Sequence, residues 1–275
     1  MGGRQRLRAD GAAAAAGDVR RAAPLLAAAA ALAAIACAAQ VAVDRRRSGF
    51  EDMSPSTQAM QRDDGMNPAM LFVQEGETLW RRAPSSSARS CASCHGEPAA
   101  MRGVAVRYPA WDETLRRPVN LQTRINLCRE RHQDQAPWPA EHADLLALEG
   151  FIGLQSRGLP IAPPTDARLA PFLAQGKALY HQRMGQLDLS CAQCHDEHAG
   201  GRLAAAPIPQ GQATGYPIYR LEWQAMGSLG RRLRGCMGGV RAEPFAGNSL
   251  EMTELELYLA QRAMGMKLET PAVRP

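Results

Sequence analysis

Aromatic residues are scarce in this chain of 275 residues, which has four tryptophans, five tyrosines and five phenylalanines. So few large rings exclude a thick aromatic core, and each domain core would be thin by itself. The chain also lacks a strong alternation of apolar and polar residues, which argues against a sheet-rich fold. It has no recognised nucleic-acid-binding motif, and its net charge of +5 includes an arginine-rich leader. The charge therefore does not indicate nucleic-acid binding.

Two CxxCH motifs lie one hundred residues apart in the chain. In such a motif, two thiols a short turn apart can add to the vinyl groups of a haem while the adjacent histidine binds the iron. A lone CxxCH can instead belong to a zinc site or a redox CxxC site. The motif residues predicted to attach the haems or bind their irons are Cys91, Cys94, His95, Cys191, Cys194 and His195.

The motifs belong to an internal duplication. Each motif is preceded by a glycine and an aromatic residue. Each is followed by a Tyr-Pro pair and then by a further cysteine, and an arginine lies four residues before that cysteine. Because the whole frame repeats, the chain is predicted to carry two covalent haems. The matched residues are Gly76 and Gly176, Trp80 and Tyr180, Tyr108-Pro109 and Tyr216-Pro217, Arg124 and Arg232, and Cys128 and Cys236.

The N-terminal residues 1–43 are predicted to be a signal peptide. Residues 22–43 form an uncharged, mostly apolar run that follows two arginines and has small residues near its end. We therefore expect export to the periplasm, in agreement with the attachment of c-type haems outside the cytoplasm. A retained membrane anchor is the alternative, because the run is long enough to span a bilayer. Cys37 is interpreted as an inert apolar residue, and residues 44–68 as a polar tail.

The rest of the chain is predicted to be all-α, with tandem cytochrome c-like domains over residues 69–160 and 161–275. Apolar residues recur at helical spacing over residues 144–155 and, at the matching place in the second copy, over residues 252–262. The Gly- and Pro-rich residues 158–166 are interpreted as the linker between the domains. Each domain is expected to enclose one haem, which supplies the apolar bulk that the few aromatic residues do not.

Two cysteines, Cys128 and Cys236, remain outside the motifs and the leader. In an oxidising compartment two leftover cysteines commonly form a disulfide. Their equivalent places in the two copies favour instead a repeated role, as the second axial ligand of each iron, and a thiolate is a known ligand of haem iron. Methionine is the rival ligand, but Met226 and Met237 have no counterparts in the first copy. The histidines outside the motifs are interpreted as surface or partly buried side chains, although His132 lies one helical turn after Cys128.

These features together resemble the SoxA family, the haem subunit of the SoxAX L-cysteine S-thiosulfotransferase. The resemblance rests on the two CxxCH motifs and on residues 124–133, 148–152, 232–236 and 241–245. It implies that His95 and Cys128 ligate the first iron and that His195 and Cys236 ligate the second. It also implies that Cys236 carries a persulfide and is the catalytic cysteine. The implied partners are the cytochrome SoxX, the carrier protein SoxYZ and thiosulfate, which the enzyme joins to a carrier cysteine.

Arginines crowd around Cys236 in the sequence, where they would attract a dianion such as thiosulfate and lower the pKa of the thiol. Arg232 is predicted to bind substrate, although an arginine here could also face solvent or pair with a haem propionate. Alternative functions are a dihaem electron carrier without catalysis and a thiosulfate dehydrogenase that forms tetrathionate. The members of this arginine cluster are Arg231, Arg232, Arg234 and Arg241.

Overall fold

The computed structural model describes residues 44–85, 87–203 and 206–275. Within them, residues 46–275 form one compact unit. The predicted signal peptide or anchor and Cys37 lie outside the described residues. No helix of the described part of the chain is both long and apolar enough to cross a membrane.

Helices dominate the fold, and they repeat along the chain. The segment that carries the second CxxCH motif differs from its counterpart, because it continues into a π-helical turn, Gln193–Glu197. The α-helices are α1 (Pro55–Arg62), α2 (Ala69–Arg81), α3 (Cys91–His95), α4 (Leu121–Gln133), α5 (Ala143–Leu154), α6 (Ala170–His181), α7 (Leu229–Gly239) and α8 (Leu250–Arg262).

Short strands connect the helices. β1 and β2 form one antiparallel hairpin, and β5 and β6 form another at the equivalent place in the second half. β7 adds to β5 in parallel, and β3 pairs with β4. The strands are β1 (Ala110–Asp112), β2 (Arg117–Val119), β3 (Arg202–Leu203), β4 (Ala206–Pro207), β5 (Ile218–Arg220), β6 (Ala225–Gly227) and β7 (Ala272–Arg274).

Each half has a core built on a close helix pair. In the first half α2 crosses α5 at Gly76, where a Cβ atom would lie 2.2 Å from the carbonyl oxygen of Ala147. In the second half α6 crosses α8 at Gly176, where a Cβ atom would lie 1.9 Å from the carbonyl oxygen of Glu254. Only glycine permits so close an approach of two backbones. The two glycines that mark the duplication in the sequence are therefore the crossing points of equivalent helix pairs.

The segment expected to be a polar tail is structured. Ser54 caps α1, since its hydroxyl accepts from the Thr57 amide at 3.2 Å, and Pro55 occupies the first turn. The segment docks on the second half through Arg46, whose guanidinium donates to the Arg262 carbonyl at 2.8 Å. Met53 is 7% exposed and lines the cavity of that half. The polar composition did not indicate this docking, because Arg46 holds the segment through hydrogen bonds to backbone carbonyls.

A small cavity of about 100 Å³ lies between the halves and is lined by Glu149 and Glu256. These glutamates occupy equivalent positions on α5 and α8. Gln122 donates to Glu149 at 2.7 Å, and Asn120 donates to Glu256 at 2.8 Å. Burial, which disfavours the charged carboxylate, raises the pKa of Glu149 to about 8 and that of Glu256 to about 7.

Candidate haem sites and active centre

The first CxxCH motif forms the short helix α3, which begins where the Ser90 hydroxyl accepts from the Ser93 amide at 3.0 Å. The turn places Cys91, Cys94 and His95 along one wall of a cavity of about 500 Å³. Apolar side chains complete much of the wall. Among them are Trp80, Met101, Val104, Leu121, Ile125, Leu148 and Ile152.

Helix α4 brings Cys128 and Arg124 to the same cavity. Burial raises the pKa of the Cys128 thiol, and the charges of Arg124 and Arg131 only partly oppose that effect. His132, one turn further along α4, also lines this cavity. The structure thus brings together the residues predicted for the first iron, and it places His132 beside them.

The second cavity, of about 520 Å³, contains Cys191, His195, Arg232 and Cys236. Cys194 lies in the π-helical turn of the same motif. Helix α7 supplies Arg232 and Cys236, one turn apart, and begins at Ser228, whose hydroxyl accepts from the Arg231 amide at 3.0 Å. The residues predicted for the second iron and for catalysis therefore meet in one cavity.

His195 is oriented by its backbone surroundings. Its Nδ1 lies 2.8 Å from the Pro209 carbonyl oxygen, which can only accept, so Nδ1 carries the proton and donates. Nε2 is then left to bind a metal, which is the usual division of roles in a metal-binding histidine. His195 and Cys236 line the same cavity.

The Cys236 thiol differs electrostatically from Cys128. Burial raises its pKa, but the neighbouring His195 and the positive charges of Arg232 and Arg220 together outweigh burial and lower that pKa. A lowered pKa favours the thiolate, which is the nucleophilic and metal-binding form of cysteine. Of the two equivalent cysteines, Cys236 is the one suited to sulfur chemistry.

The structure places the rival ligands differently in the two halves. Met101 and His132 line the first cavity with Cys128, whereas neither Met226 nor Met237 lines the second cavity. Cys128 and Cys236 line different cavities, and all six described cysteines are free. Met237 is 4% exposed and packs in the core of the second half, and Met226 is 2% exposed in a separate hydrophobic cluster.

The arginine cluster predicted around Cys236 divides in three dimensions. Arg232 lines the cavity, whereas the guanidinium of Arg231 stacks 4.0 Å above the ring of Trp223. Arg241 lines a separate surface recess and donates to Gln186 at 3.4 Å. Two arginines distant in sequence, Arg220 on β5 and Arg274 on β7, also line the Cys236 cavity. Neither arginine was predicted from the sequence.

Both cavities fit a covalently attached haem. Their volumes are within the usual range of cofactor pockets, about 300–1,000 Å³. Each is lined by the first cysteine and the histidine of a CxxCH motif, by a thiol from a separate helix, and by many apolar side chains. Cys94 also lines the first cavity, whereas Cys194 is not part of the lining of the second. The donor set of imidazole and thiolate is one that haem iron accepts.

A family model described as the SoxA/TsdA cytochrome c domain matches residues 75–161 and 175–268. The L-cysteine S-thiosulfotransferase subunit SoxA of Pseudaminobacter salicylatoxidans is 37% identical to this chain, over 84% of this chain and 82% of that protein. The chain belongs to the SoxA family. The SoxA subunit of Paracoccus pantotrophus is 36% identical over 82% of this chain and 78% of its own length.

A solved structure extends the SoxA assignment to three dimensions. The crystal structure of SoxXA from P. pantotrophus has a TM-score of 0.81 and 36% identity, covering 84% of this chain and 87% of that chain. The predicted all-α fold of tandem cytochrome c-like domains is confirmed, with short strands added, and the resemblance to SoxA is confirmed. A cytochrome c domain implies haem c as the cofactor.

Proposed function

We propose that this chain is the SoxA subunit of an L-cysteine S-thiosulfotransferase, which joins thiosulfate to a cysteine of the SoxYZ carrier protein. The observation that carries the proposal is the meeting of Cys236, Arg232 and His195 in one haem-sized cavity. The names of the SoxA relatives support the same activity.

The residues of this cavity account for the reactants. Thiosulfate is a small dianion, and the Arg232 guanidinium presents a planar fork of donors that suits oxyanions. Cys236 is the proposed sulfur-bearing residue, as a persulfide through which sulfur passes by an exchange resembling thiol–disulfide exchange. In the net reaction a carrier thiol and thiosulfate form one sulfur–sulfur bond, and one proton and two electrons are released.

Two haem c groups complete the proposal. Cys91 and Cys94 would hold the first and Cys191 and Cys194 the second. The axial ligands would be His95 with Cys128, and His195 with Cys236. When bound, a c-type haem supplies an acceptor for the released electrons, and thiolate ligation favours its oxidised form.

We infer that SoxX is the partner subunit, that SoxYZ is the sulfur carrier and that the protein works in the periplasm. The similarity to the SoxA chain of the SoxXA complex supports SoxX. The apolar run of residues 22–43 after two arginines supports export.

The test uses the export-matured protein, co-produced with SoxX and incubated with thiosulfate with and without SoxYZ. Cys236→Ser should lower the rate of conjugation about a thousandfold or more, as the loss of a catalytic nucleophile does, while both haems stay attached. Met237→Leu is the matched control, since it changes a neighbouring core residue of similar volume and keeps the thiol.

Each alternative function predicts a different result. Tetrathionate formed by the wild type without the carrier would establish a thiosulfate dehydrogenase. Reversible reduction of the haems with no thiosulfate-dependent turnover would establish an electron carrier. Full conjugation activity in the Cys236→Ser protein would remove this cysteine from the mechanism.

A further inference from the structure

The duplication is gapless from the Tyr-Pro pair to the second cysteine. Each residue from Tyr108 to Cys128 corresponds to the residue 108 positions later, which ends the second copy at Cys236. The structure keeps this register. The hairpins β1–β2 and β5–β6 occupy matching positions, and their turns contain matching left-handed residues, Arg116 and Gln224. Each residue of this segment in the first cavity therefore has one structural counterpart in the second cavity.

In the first half, the last residue of β1 is an aspartate. The Asp112 side chain is 2% exposed and pairs with Arg124 at 2.8 Å and with Arg131 at 3.6 Å. Burial raises its pKa, but the Leu115 amide and the charges of the two arginines outweigh burial and hold that pKa below its usual value. Asp112 is therefore ionised, and it neutralises the arginine that precedes Cys128 by one turn.

In the second half, the equivalent residue at the end of β5 is Arg220. The side chain is 16% exposed and lines the Cys236 cavity together with Arg232. Burial lowers the pKa of Arg220, and the nearby charge of Arg232 lowers it further, as expected for two cations in one cavity. An aspartate–arginine pair in the first half thus corresponds to an arginine–arginine pair in the second.

One carboxylate near this pair, that of Glu222, also lines the cavity. Arg220 pairs at 2.7 Å with Glu222, whose side chain is 65% exposed, and its Nε donates to the Pro275 carbonyl oxygen at 2.8 Å. Among the described residues, no carboxylate forms an ion pair with Arg232 within 4.0 Å. Two like charges facing one cavity repel each other, and a bound anion removes that cost.

We propose that Arg220 and Arg232 together bind the sulfonate end of thiosulfate beside Cys236. The inference rests on the proposed function and adds a residue to it. Both halves are built to hold a haem, so features that they share, such as the arginine one turn before the cysteine, can serve the haem. The change from Asp112 to Arg220 is confined to the half that contains the proposed sulfur centre.

The replacement also explains why only one half would bind substrate. A dianion entering the first cavity meets Arg124 already paired with Asp112. In the second cavity it meets two guanidinium groups, that of Arg232 and that of Arg220, and Arg220 also donates to Glu222 and Pro275. A guanidinium group can donate parallel hydrogen bonds to an oxyanion. Other tetrahedral dianions, such as sulfate, should compete for the same place.

The experiment compares Arg220→Gln and Arg220→Lys with wild type, in complex with SoxX and with SoxYZ as acceptor. Arg220→Gln should raise the KM for thiosulfate about 10- to 100-fold, the effect of losing one charged hydrogen-bonding partner. It should weaken inhibition by sulfate in parallel. Arg220→Lys should recover part of both losses, because it restores the charge without the fork.

The controls separate substrate binding from haem binding and from folding. Arg183→Gln removes the same charge from an exposed site in the second half, where Arg183 pairs with Asp188 at 2.9 Å outside the lining of the Cys236 cavity. Its KM should stay near the wild-type value. Haem content and the reduction potential of the second haem are measured for every variant. The KM of Arg220→Gln is compared with that of wild type only if the variant keeps both haems. If it loses a haem, the KM of Arg220→Lys is compared instead.

Two results would overturn the inference. An unchanged KM with an altered reduction potential or haem content would assign Arg220 to the haem propionates. An Arg220→Gln protein identical to wild type in KM and sulfate inhibition would assign it no role in anion binding. Failure of the wild type to conjugate thiosulfate would instead refute the proposed function. Binding of sulfate to the anion site could still be measured in that case, by titrating sulfate and recording the haem spectrum.

Discussion

At the scale of the residue, the two halves differ most at one pair of equivalent positions. Asp112 and Arg220 end equivalent strands, and they set opposite charges beside equivalent arginines. The sequence predicted Arg232, because it lies four residues from Cys236 in a helix. It did not predict Arg220 or Arg274, because their approach to Cys236 depends on how β5 and β7 pair. The gapless register after the Tyr-Pro pair was the signal that could have identified Arg220.

Asp112→Asn should destabilise the first half. The substitution leaves Arg124 and Arg131 facing each other without a counter-charge. Both arginines are about one-third exposed, so the expected loss of unfolding free energy is about 1–3 kcal/mol, below that of a fully buried pair. Urea unfolding followed by far-ultraviolet circular dichroism measures this change.

Glu113→Gln is the control for that prediction. Glu113 pairs with Arg168, but its side chain is 76% exposed, so the change should cost less than about 1 kcal/mol. Equal losses in the two variants would show that the Asp112 pair does not hold the first half together.

At the scale of the element, the helix pairs follow from the sequence and the strands do not. The periodic segments 144–155 and 252–262 correspond to α5 and α8. Strands of two or three residues are too short for an alternating pattern to be recognised. Helix α1 was missed because it is eight residues long and polar, although Ser54 followed by Pro55 is a typical helix start.

Gly176→Ala should disrupt the crossing of α6 and α8. The added Cβ would lie 1.9 Å from the Glu254 carbonyl oxygen, so the helices must move apart. We expect a loss of about 1–3 kcal/mol, the usual cost of overpacking, seen as a lower midpoint of thermal unfolding.

Gly238→Ala is the matched control on α7. A Cβ atom there would meet no atom within 4 Å. Because alanine is the better helix former, this variant should keep or slightly raise the unfolding midpoint. A Gly176→Ala protein as stable as wild type would show that the two helices can separate without cost.

At the scale of the whole molecule, the contact between the halves contains groups that titrate. Glu149 and Glu256 line the cavity there, near Glu141, Tyr108 and Tyr216. Their folded-state pKa values, about 8 and about 7, lie above the ordinary value of 4.5. The unfolded chain therefore loses these protons first, so their contribution to stability falls as the pH rises from 4.5 towards 8.

Glu256→Gln should make stability less dependent on pH. The neutral amide cannot ionise, so the variant should lose less stability than wild type between pH 4.5 and pH 7, by a difference on the order of 3 kcal/mol. Thermal unfolding midpoints across this range measure it. Glu75→Gln, at an exposed position, should follow the wild-type curve. Parallel curves for Glu256→Gln and wild type would contradict a neutral Glu256 in the folded protein.

At this scale, most of the correct predictions came from the internal duplication. It predicted that the CxxCH motifs, Cys128, Cys236 and Arg232 belong to two haem sites, because equivalent positions in a repeat fold to equivalent places. It could not predict the docking of residues 46–68 on the second half, which has no counterpart in the repeat. It also could not predict that Glu149 and Glu256 line a cavity between the halves, since a charged residue in a helix is normally exposed.

The most direct test of the central claim is peptide mass spectrometry of the export-matured protein before and after exposure to thiosulfate. The account predicts haem on the peptides that contain Cys91 with Cys94 and Cys191 with Cys194, and additional sulfur on the peptide that contains Cys236. A disulfide between Cys128 and Cys236, or a Cys236 thiol that never gains sulfur while the protein turns over, would contradict it.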